Sequence, residues 1–102
     1  MDREEIFEWD QNKAASNRAK HGISFEEAKG VFYDPFTIDK LDNRKDYGEE
    51  HYRLIGTSDG KLFSVVYTER GEKIRLISVR KADKYEQDEY YSRKATRWRD
   101  FE

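Results

Sequence analysis

The sequence has no cysteine, and it has only one proline and one methionine among 102 residues. The absence of cysteine excludes disulfide bonds, thiolate metal sites and a cysteine nucleophile. No apolar run approaches the roughly 20 residues that a membrane-spanning helix needs, and the acidic N-terminus lacks the apolar segment of a signal peptide. These absences favour a soluble, cytoplasmic protein that does not contact a membrane.

Apolar residues are also scarce, since 41% of the chain is charged and 35% is hydrophobic. The net charge is nevertheless only −2, and seven Tyr and two Trp supply rings that can be buried while their polar tips stay hydrated. We therefore expect one domain over residues 1–102 with a small, aromatic-rich core. Residues 91–102 are predicted to form a mobile tail.

The small net charge conceals an uneven distribution. Residues 1–50 hold eight Lys and Arg against thirteen Asp and Glu, whereas residues 70–99 hold ten against five. The C-terminal third is therefore a basic region on a mildly acidic protein. Such a division suits a chain that binds a polyanion on one side, or one that pairs with a partner of complementary charge. It also occurs where the charges are merely solvated.

The most informative stretch is KLFSVVYTERGEKIRLISVRK, residues 61–81. Residues 62–69 and 73–80 are rich in β-branched and aromatic residues, and Arg70-Gly71 between them predicts the turn of a β-hairpin. Because side chains alternate along a strand, cationic groups are expected on both faces of this apolar ribbon.

A two-residue loop at Arg70-Gly71 would pair Glu69 with Glu72, Tyr67 with Ile74, and Val66 with Arg75. A one-residue bulge would change these partners. The spacing of five residues places Arg75 and Arg80 on opposite faces of a regular strand. A single site that uses both arginines would then require Arg80 to lie beyond the strand end.

Two helices are predicted before the hairpin. The first covers about residues 11–20, with Asp10 as its N-cap and Gly22 as its C-terminal left-handed residue. The second begins with a capping box formed by Ser24 and Glu27, and Asp34-Pro35 ends it. Its apolar stripe consists of Phe25, Ala28, Val31 and Phe32.

Three further strands are predicted at residues 6–9, 36–41 and 51–57. Residues 42–48 are predicted to form a polar loop, and Asp59-Gly60 is predicted to form a hairpin turn. Asp83 and Glu86 are predicted to cap a final helix that has only a narrow apolar face. The predicted fold class is α+β: a small antiparallel β-sheet with N-terminal helices packed on it and a C-terminal helix.

Two segments together resemble the BrnT family of type II toxin–antitoxin toxins. FEWDQNKAASNRAKHGISFEEAKGVFYDP is similar to the opening signature of that family, and YRLIGTSDGKLFSVVYTERGEKIRLISVRKADKYEQDEY is similar to its closing segment. The resemblance covers roughly residues 7–90. Val79 and Lys81 depart from it, because the family often has Ala and Arg at these positions; lysine lacks the bidentate fork that arginine offers to phosphate.

The resemblance implies a RelE-like fold and an endoribonuclease that inhibits translation. Because the sequence has no evident phosphate-binding glycine loop, paired catalytic carboxylates or metal-ligand cluster, we expect metal-independent acid–base chemistry without a cofactor. It also implies neutralisation by a BrnA-type antitoxin, in a hetero-oligomeric complex that binds operator DNA through the antitoxin. RNA cleavage without metal requires a base for the 2′-OH, a cation for the charge on the phosphate and an acid for the leaving oxygen. His21 and His51 are the two imidazoles of the sequence.

Four residues are predicted to be catalytic, mostly on the resemblance: Arg75, Arg80, Tyr67 and Trp9. Five are predicted to bind RNA, namely Lys13, Lys20, His21, Arg53 and Lys81. Structural roles compete with several of these assignments. Tyr67 is equally suited to the core, Trp9 to a hydrophobic staple on Ala14, and the first-helix cluster, which also includes Arg18, to a solvated surface.

A second function follows from the same residues. The near-neutral charge, the lack of an evident base, and the departures at Val79 and Lys81 are also compatible with a catalytically weak, toxin-like binding module. Such a module would act as an antitoxin partner and transcriptional co-repressor. Expression without antitoxin would then be harmless to cells.

Overall fold

A computed structural model of the chain describes residues 6–42 and 48–99. Its helices are α1 (Gln11–His21), α2 (Phe25–Ala28), a 3₁₀ helix (Lys29–Tyr33) and α3 (Lys84–Arg99). Its strands are β1 (Phe7–Trp9), β2 (Ile38–Asp42), β3 (His51–Ser58), β4 (Lys61–Arg70) and β5 (Lys73–Lys81). These elements confirm the α+β class. The interior of the predicted polar loop, residues 43–47, lies outside the described residues.

The five strands form one sheet in the order β1-β5-β4-β3-β2. Strands β2 to β5 pair antiparallel, and the two earliest strands occupy the edges, as predicted. The prediction of an entirely antiparallel sheet was wrong at one edge, because β1 pairs parallel to β5, with Phe7 opposite Ile74. This parallel pairing is possible because the connection from β1 to β5 is long and includes the N-terminal helices and β2 to β4.

The turn between β3 and β4 forms at Asp59-Gly60, where φ is 54° and 81°. Two consecutive positive φ angles are typical of the hairpin turn that the Asp-Gly pair predicts. The loop between β4 and β5 was predicted one residue too early, because Arg70 pairs with Lys73 and leaves Gly71-Glu72 as the loop. Gly71 supplies the positive φ of 61° that this loop needs.

A β-bulge interrupts β5 at Ile77. Tyr67 pairs with Leu76, but its neighbour Val66 pairs with Ser78, so that Ile77 has no direct partner on β4. The predicted pairs Glu69–Glu72, Tyr67–Ile74 and Val66–Arg75 are therefore wrong.

The bulge also corrects the expected orientation of the two arginines. Arg75 lies opposite Thr68 and Arg80 lies opposite Ser64, four residues apart on the regular strand β4. Because side chains alternate with a period of two, Arg75 and Arg80 share one face of the sheet.

The opposite face, which we call the core face, holds the main apolar cluster. Its strand residues include Leu54, Phe63, Val65, Tyr67, Leu76 and Val79, and the helical layer adds Ile23, Phe25, Ala28 and Val31. These four residues, of which Ile23 lies between α1 and α2, are between 0% and 4% exposed, so burial of apolar area is the main force that holds this layer on the sheet.

The predicted caps of the N-terminal helices form. Asp10 accepts hydrogen bonds from the N–H groups of Asn12 and Lys13, and Gly22, with φ of 70°, caps the C-terminal end of α1. Ser24 accepts from the Glu27 N–H, but α2 is a single α-helical turn that continues as the 3₁₀ helix, instead of one longer α-helix.

Gly56 allows the 3₁₀ helix to approach β3 closely. A Cβ at Gly56 would lie 2.7 Å from Thr37 Cγ2 and 3.0 Å from Val31 Cγ1. A larger residue would therefore push the two elements apart.

The other face of the sheet carries Arg53, Arg75 and Arg80, and we call it the arginine face. Helix α3 covers one end of it, where Tyr90 is fully buried with Ile38, Ile55 and Ala82. Asp83 and Glu86 form the predicted capping box, each accepting from the other's N–H at 2.8–2.9 Å. The helix continues to Arg99, so residues 91–99 of the predicted tail are helical.

Candidate functional site

The register of the sheet arranges the arginine face in rows. One row contains Ile55, Ser64 and Arg80 on neighbouring strands, and the next contains Lys40, Arg53, Val66 and Ser78. A third row runs from Asp42 through His51 toward Thr68, Arg75 and Glu8. The three arginines and Lys40 therefore project from the same face of β2, β3 and β5, although they are far apart in sequence.

A hydrogen-bond network connects two of these arginines through Glu86. Arg80 donates from Nη1 to Glu86 Oε1 at 2.6 Å and from Nη2 to Glu86 Oε2 at 3.0 Å. Ser64 Oγ donates to the same carboxylate at 3.2 Å, and Arg53 Nη1 donates to Ser64 Oγ at 2.6 Å. This bidentate geometry fixes the guanidinium of Arg80 at the first turn of α3.

The carboxyl group of Glu86 is held as a carboxylate. Burial alone would raise its pKa, but hydrogen bonds from Arg80 and the Asp83 N–H, with the positive charge of Arg80, lower the pKa below its ordinary value. Each oxygen of Glu86 accepts two hydrogen bonds. The geometry therefore suits Glu86 to orienting Arg80, and less to accepting a proton from substrate.

Four cations of the arginine face, Lys40, Arg53, Arg75 and Arg80, each have a carboxylate partner within 4 Å. Besides the Arg80–Glu86 pair, Arg53 lies 3.5 Å from Asp42, Arg75 lies 3.4 Å from Glu8, and Lys40 lies 2.8 Å from Glu89. A phosphate that binds here competes with these internal partners. The pairs also hold the long cationic side chains in place before any ligand arrives.

An open pocket of about 370 Å³ lies on this face between β2, β5 and the start of α3. It is lined on one side by Lys40, Arg53 and Arg80, and on the other by Tyr85, Glu86 and Glu89. Tyr85 is 74% exposed. The pocket combines cations, carboxylates and an accessible aromatic ring, groups that can contact the phosphates and bases of RNA.

Two of the predicted catalytic residues lie away from this pocket. Tyr67 is on the core face, where its hydroxyl donates to Asp39 at 2.7 Å. Burial, followed by the Asp39 hydrogen bond and charge, raises its pKa above the ordinary value, so it stays protonated. Trp9 packs edge-on against Phe25 at 5.8 Å, also on the core face. The structure therefore places both side chains within the packing of the core and apart from Arg75 and Arg80.

The predicted cluster on α1 lines a second concave surface. Lys13, Lys20 and His21 face Ile77 and Ser78 across a groove of about 340 Å³. Arg18 is exposed on α1 but does not line this groove. Lys81 is exposed at the end of β5, opposite Phe63, and is thus not on the arginine face.

The two imidazoles lie apart. His51 is on the arginine face but only 4% exposed, and its Nε2 is 3.2 Å from Glu49 Oε1. His21 lies at the end of α1 beside the groove. The structure therefore does not bring the two together.

Sequence reasoning assigned Glu86 to a helix cap and missed its bond to Arg80. It also missed Ser64, which is 1% exposed, and Lys40. The alternation of side chains along a strand assigns Ser64 and Arg53 each to one of two faces. The register that brings them together depends on the turn at Asp59-Gly60 between β3 and β4. A polar residue in the middle of the apolar run LFSVVY was the available signal.

Among the described residues, no helix has both the length and the apolar character needed to cross a membrane. Within the same ranges, no three His, Asp or Glu side chains are grouped as metal ligands. A family model described as the ribonuclease toxin, BrnT, of type II toxin–antitoxin systems matches residues 9–86. No curated protein matches the chain.

Proposed function

Because the chain belongs to the BrnT family of ribonuclease toxins of type II toxin–antitoxin systems, we propose that it is an endoribonuclease whose active site is the arginine face. The observation that carries this proposal is the bulge at Ile77, which puts Arg75 and Arg80 on one face with Arg53. Without the bulge, the five-residue spacing would direct one of the two into the core.

The proposed reaction needs no metal ion. The 2′-hydroxyl attacks the adjacent phosphorus, the P–O5′ bond breaks, and the proton lost by the 2′-hydroxyl is balanced by one delivered to the leaving 5′-oxygen. Arg80 and Arg53 border the open pocket and would hold the phosphate as its negative charge increases. Glu86 would keep Arg80 oriented through this step.

We also propose the biological setting that the family resemblance implies. The toxin would act in the cytoplasm as one domain with a RelE-type fold, cleave RNA and thereby stop translation. A BrnA-type antitoxin would neutralise it and bring the hetero-oligomeric complex to operator DNA. The family assignment supports this setting because a toxin of a type II system has a protein antitoxin.

The test is expression of the chain alone in cells, beside Arg80→Ala and Arg75→Ala at matched soluble levels. We expect wild type to arrest growth and fragment RNA. Purified wild type should cut RNA in the presence of EDTA, and each variant should lower the rate about 100-fold, as loss of one charge-stabilising donor does elsewhere. Arg93→Ala is the control, because Arg93 is an exposed arginine of α3 that neither lines the pocket nor belongs to a strand of the arginine face.

One observation favours a second candidate. Lys40, Arg53, Arg75 and Arg80 are paired with carboxylates. This pairing lowers the attraction of the arginine face for RNA, which suits a binding module with weak activity or none. Harmless expression of wild type, together with tight binding to a co-expressed antitoxin, would favour this module and overturn the nuclease.

A further inference from the structure

The groove between α1 and β5 differs electrostatically from the arginine face. Among the described residues that line it there are three basic side chains, Lys13, Lys20 and His21, and no carboxylate. Within the described part of the chain, neither lysine forms an ion pair. The groove therefore presents cationic charge that a phosphate can meet without displacing an internal partner.

The fold holds this groove in a fixed shape. Asn17 of α1 is 6% exposed; it donates to the Val79 carbonyl at 2.9 Å and accepts from the Val79 N–H at 3.0 Å. These bonds satisfy the backbone of β5 where β1 no longer pairs with it, and they anchor α1 along that open edge. The bulge residue Ile77 and its neighbour Ser78 form the floor.

Ser78 connects the groove to the arginine face. It lines the groove, and in the sheet it lies opposite Val66, in the same row as Arg53. Ser78 lies two positions before Arg80, a distance of about 7 Å along a strand. A strand of RNA can thus pass over the edge of β5 from the groove to the arginines.

We propose that the groove between α1 and β5 is a second phosphate-binding site, which holds the backbone of single-stranded RNA beside the nucleotide that contacts Arg80. This inference rests on the proposed function, because it names where the same substrate continues. Lys13 and Lys20 supply the charge, and the hydroxyls of Ser16 and Ser78 lie within the same groove as hydrogen-bond donors.

The experiment measures binding of a single-stranded oligoribonucleotide with 2′-O-methyl groups, which cannot be cleaved, at several salt concentrations. The double variant Lys13→Ala/Lys20→Ala should bind about tenfold more weakly at low salt. The slope of log K against log salt should become shallower by about 1.4, the value for two lost contacts to single-stranded phosphates. Circular dichroism should be unchanged, because both lysines are exposed.

Arg18→Ala is the matched control, since Arg18 is a cation of α1 outside the groove. It should change the affinity less than twofold, and Lys13→Arg/Lys20→Arg should keep wild-type binding. Equal losses from Arg18→Ala and the double variant would overturn the inference, because only the overall charge would then matter.

Further outcomes separate this inference from the proposed function. If Arg80→Ala lowers cleavage but the double variant binds and cleaves as wild type does, the inference fails and the nuclease stands. If wild type cuts no RNA, but the double variant binds RNA more weakly and with a shallower salt dependence as stated, RNA binding in the groove is supported and the nuclease proposal is overturned. A double variant that weakens antitoxin binding and leaves RNA binding unchanged would assign the groove to the antitoxin and overturn the inference.

Discussion

At the scale of single residues, Asp34 connects three parts of the chain through one carboxylate. Its Oδ1 accepts from the Phe36 N–H at 2.8 Å, and its Oδ2 accepts from the Thr57 N–H and hydroxyl at 2.8 and 3.0 Å. The hydroxyl of Tyr90 donates to Oδ2 at 2.6 Å. Asp34 thereby joins the end of the 3₁₀ helix to β3 and to α3, which carries Glu86 to the candidate site.

Tyr90→Phe removes the hydroxyl that reaches Asp34 and keeps the buried ring. We expect the free energy of unfolding to fall by about 1.5 kcal/mol, the usual loss for a hydrogen bond to a charged group. Urea denaturation measures this change. Tyr91→Phe is the control and should cost under about 0.5 kcal/mol, because Tyr91 is 54% exposed. Equal losses for the two variants would show that the Asp34 bond does not stabilise α3.

Residue patterns along α3 could not identify Tyr90 in advance. The helix has Tyr85, Tyr90 and Tyr91, of which the structure buries Tyr90 completely and leaves Tyr85 74% exposed. The sequence marks all three as amphipathic, and their burial depends on which side of α3 meets Ile38 and Ile55. The partner of Tyr90, Asp34, lies 56 positions away, so no local signal connects them.

At the scale of elements, the bulge in β5 determines which side chains share the candidate site. Ile77 is the extra residue, and Leu76 and Val79 keep their places on the core face on either side of it. A bulge leaves its extra residue outside the ladder and lets the strand resume its pattern. The two arginines therefore share a face because five sequence positions span only four positions of the partner strand.

Deletion of Ile77 should preserve this arrangement. The shortened strand would be regular, Val79 and Arg80 would keep their partners Val65 and Ser64, and we expect a loss of less than about 2 kcal/mol in urea denaturation. Insertion of one alanine after Val79 is the contrasting variant. It would turn Arg80 toward the core face and should cost more than about 4 kcal/mol or prevent folding. Equal damage from the two variants would contradict the register.

The elements that sequence reasoning predicted well are those specified by neighbouring residues. The caps at Asp10 and Ser24 and the turn at Asp59-Gly60 depend on contacts within four positions, and all three form as expected. The parallel pairing of β1 with β5 was missed because it depends on contacts between strands far apart in sequence. A bulge in the hairpin was named as an alternative, but its position at Ile77 was not predicted. A hairpin sequence alone does not specify whether an extra residue will be accommodated at Ile77.

At the scale of the whole molecule, the uneven charge of the sequence is partly cancelled by the fold. Glu8 and Asp42, from the acidic N-terminal half, pair with Arg75 and Arg53 from later strands. Glu86 and Glu89 of α3 neutralise Arg80 and Lys40 in the same way. The cations of the arginine face named above are therefore paired with carboxylates, whereas the described lining of the α1 groove has cations and no carboxylate. Charge counts along a sequence cannot tell a paired cation from an unpaired one.

Three groups with shifted pKa values, Asp34, Glu86 and Tyr90, make the stability of the molecule depend on pH in both acid and alkali. Burial alone would raise the pKa of Asp34, but hydrogen bonds from Tyr90, Thr57 and Phe36 lower it below 3.8, and the pKa of Glu86 lies below 4.5. Burial and the bond to Asp34 raise the pKa of Tyr90 from 10.0 to about 12. The folded state therefore binds fewer protons than the unfolded state in acid, and more in alkali.

The signs give a specific profile for the free energy of unfolding. The stabilisation from Asp34 and Glu86 is complete above about pH 4.5 and is lost as the pH falls through the lowered pKa values of the folded state. The stabilisation from Tyr90 is complete below pH 10 and is lost as the pH rises toward 12. Urea midpoints from pH 2 to 12 should decline at both ends. Glu86→Gln should flatten the acid decline and Tyr90→Phe the alkaline one. Unchanged declines would mean that these groups titrate alike in the folded and unfolded chains, and that the network around Arg80 and α3 does not stabilise the fold.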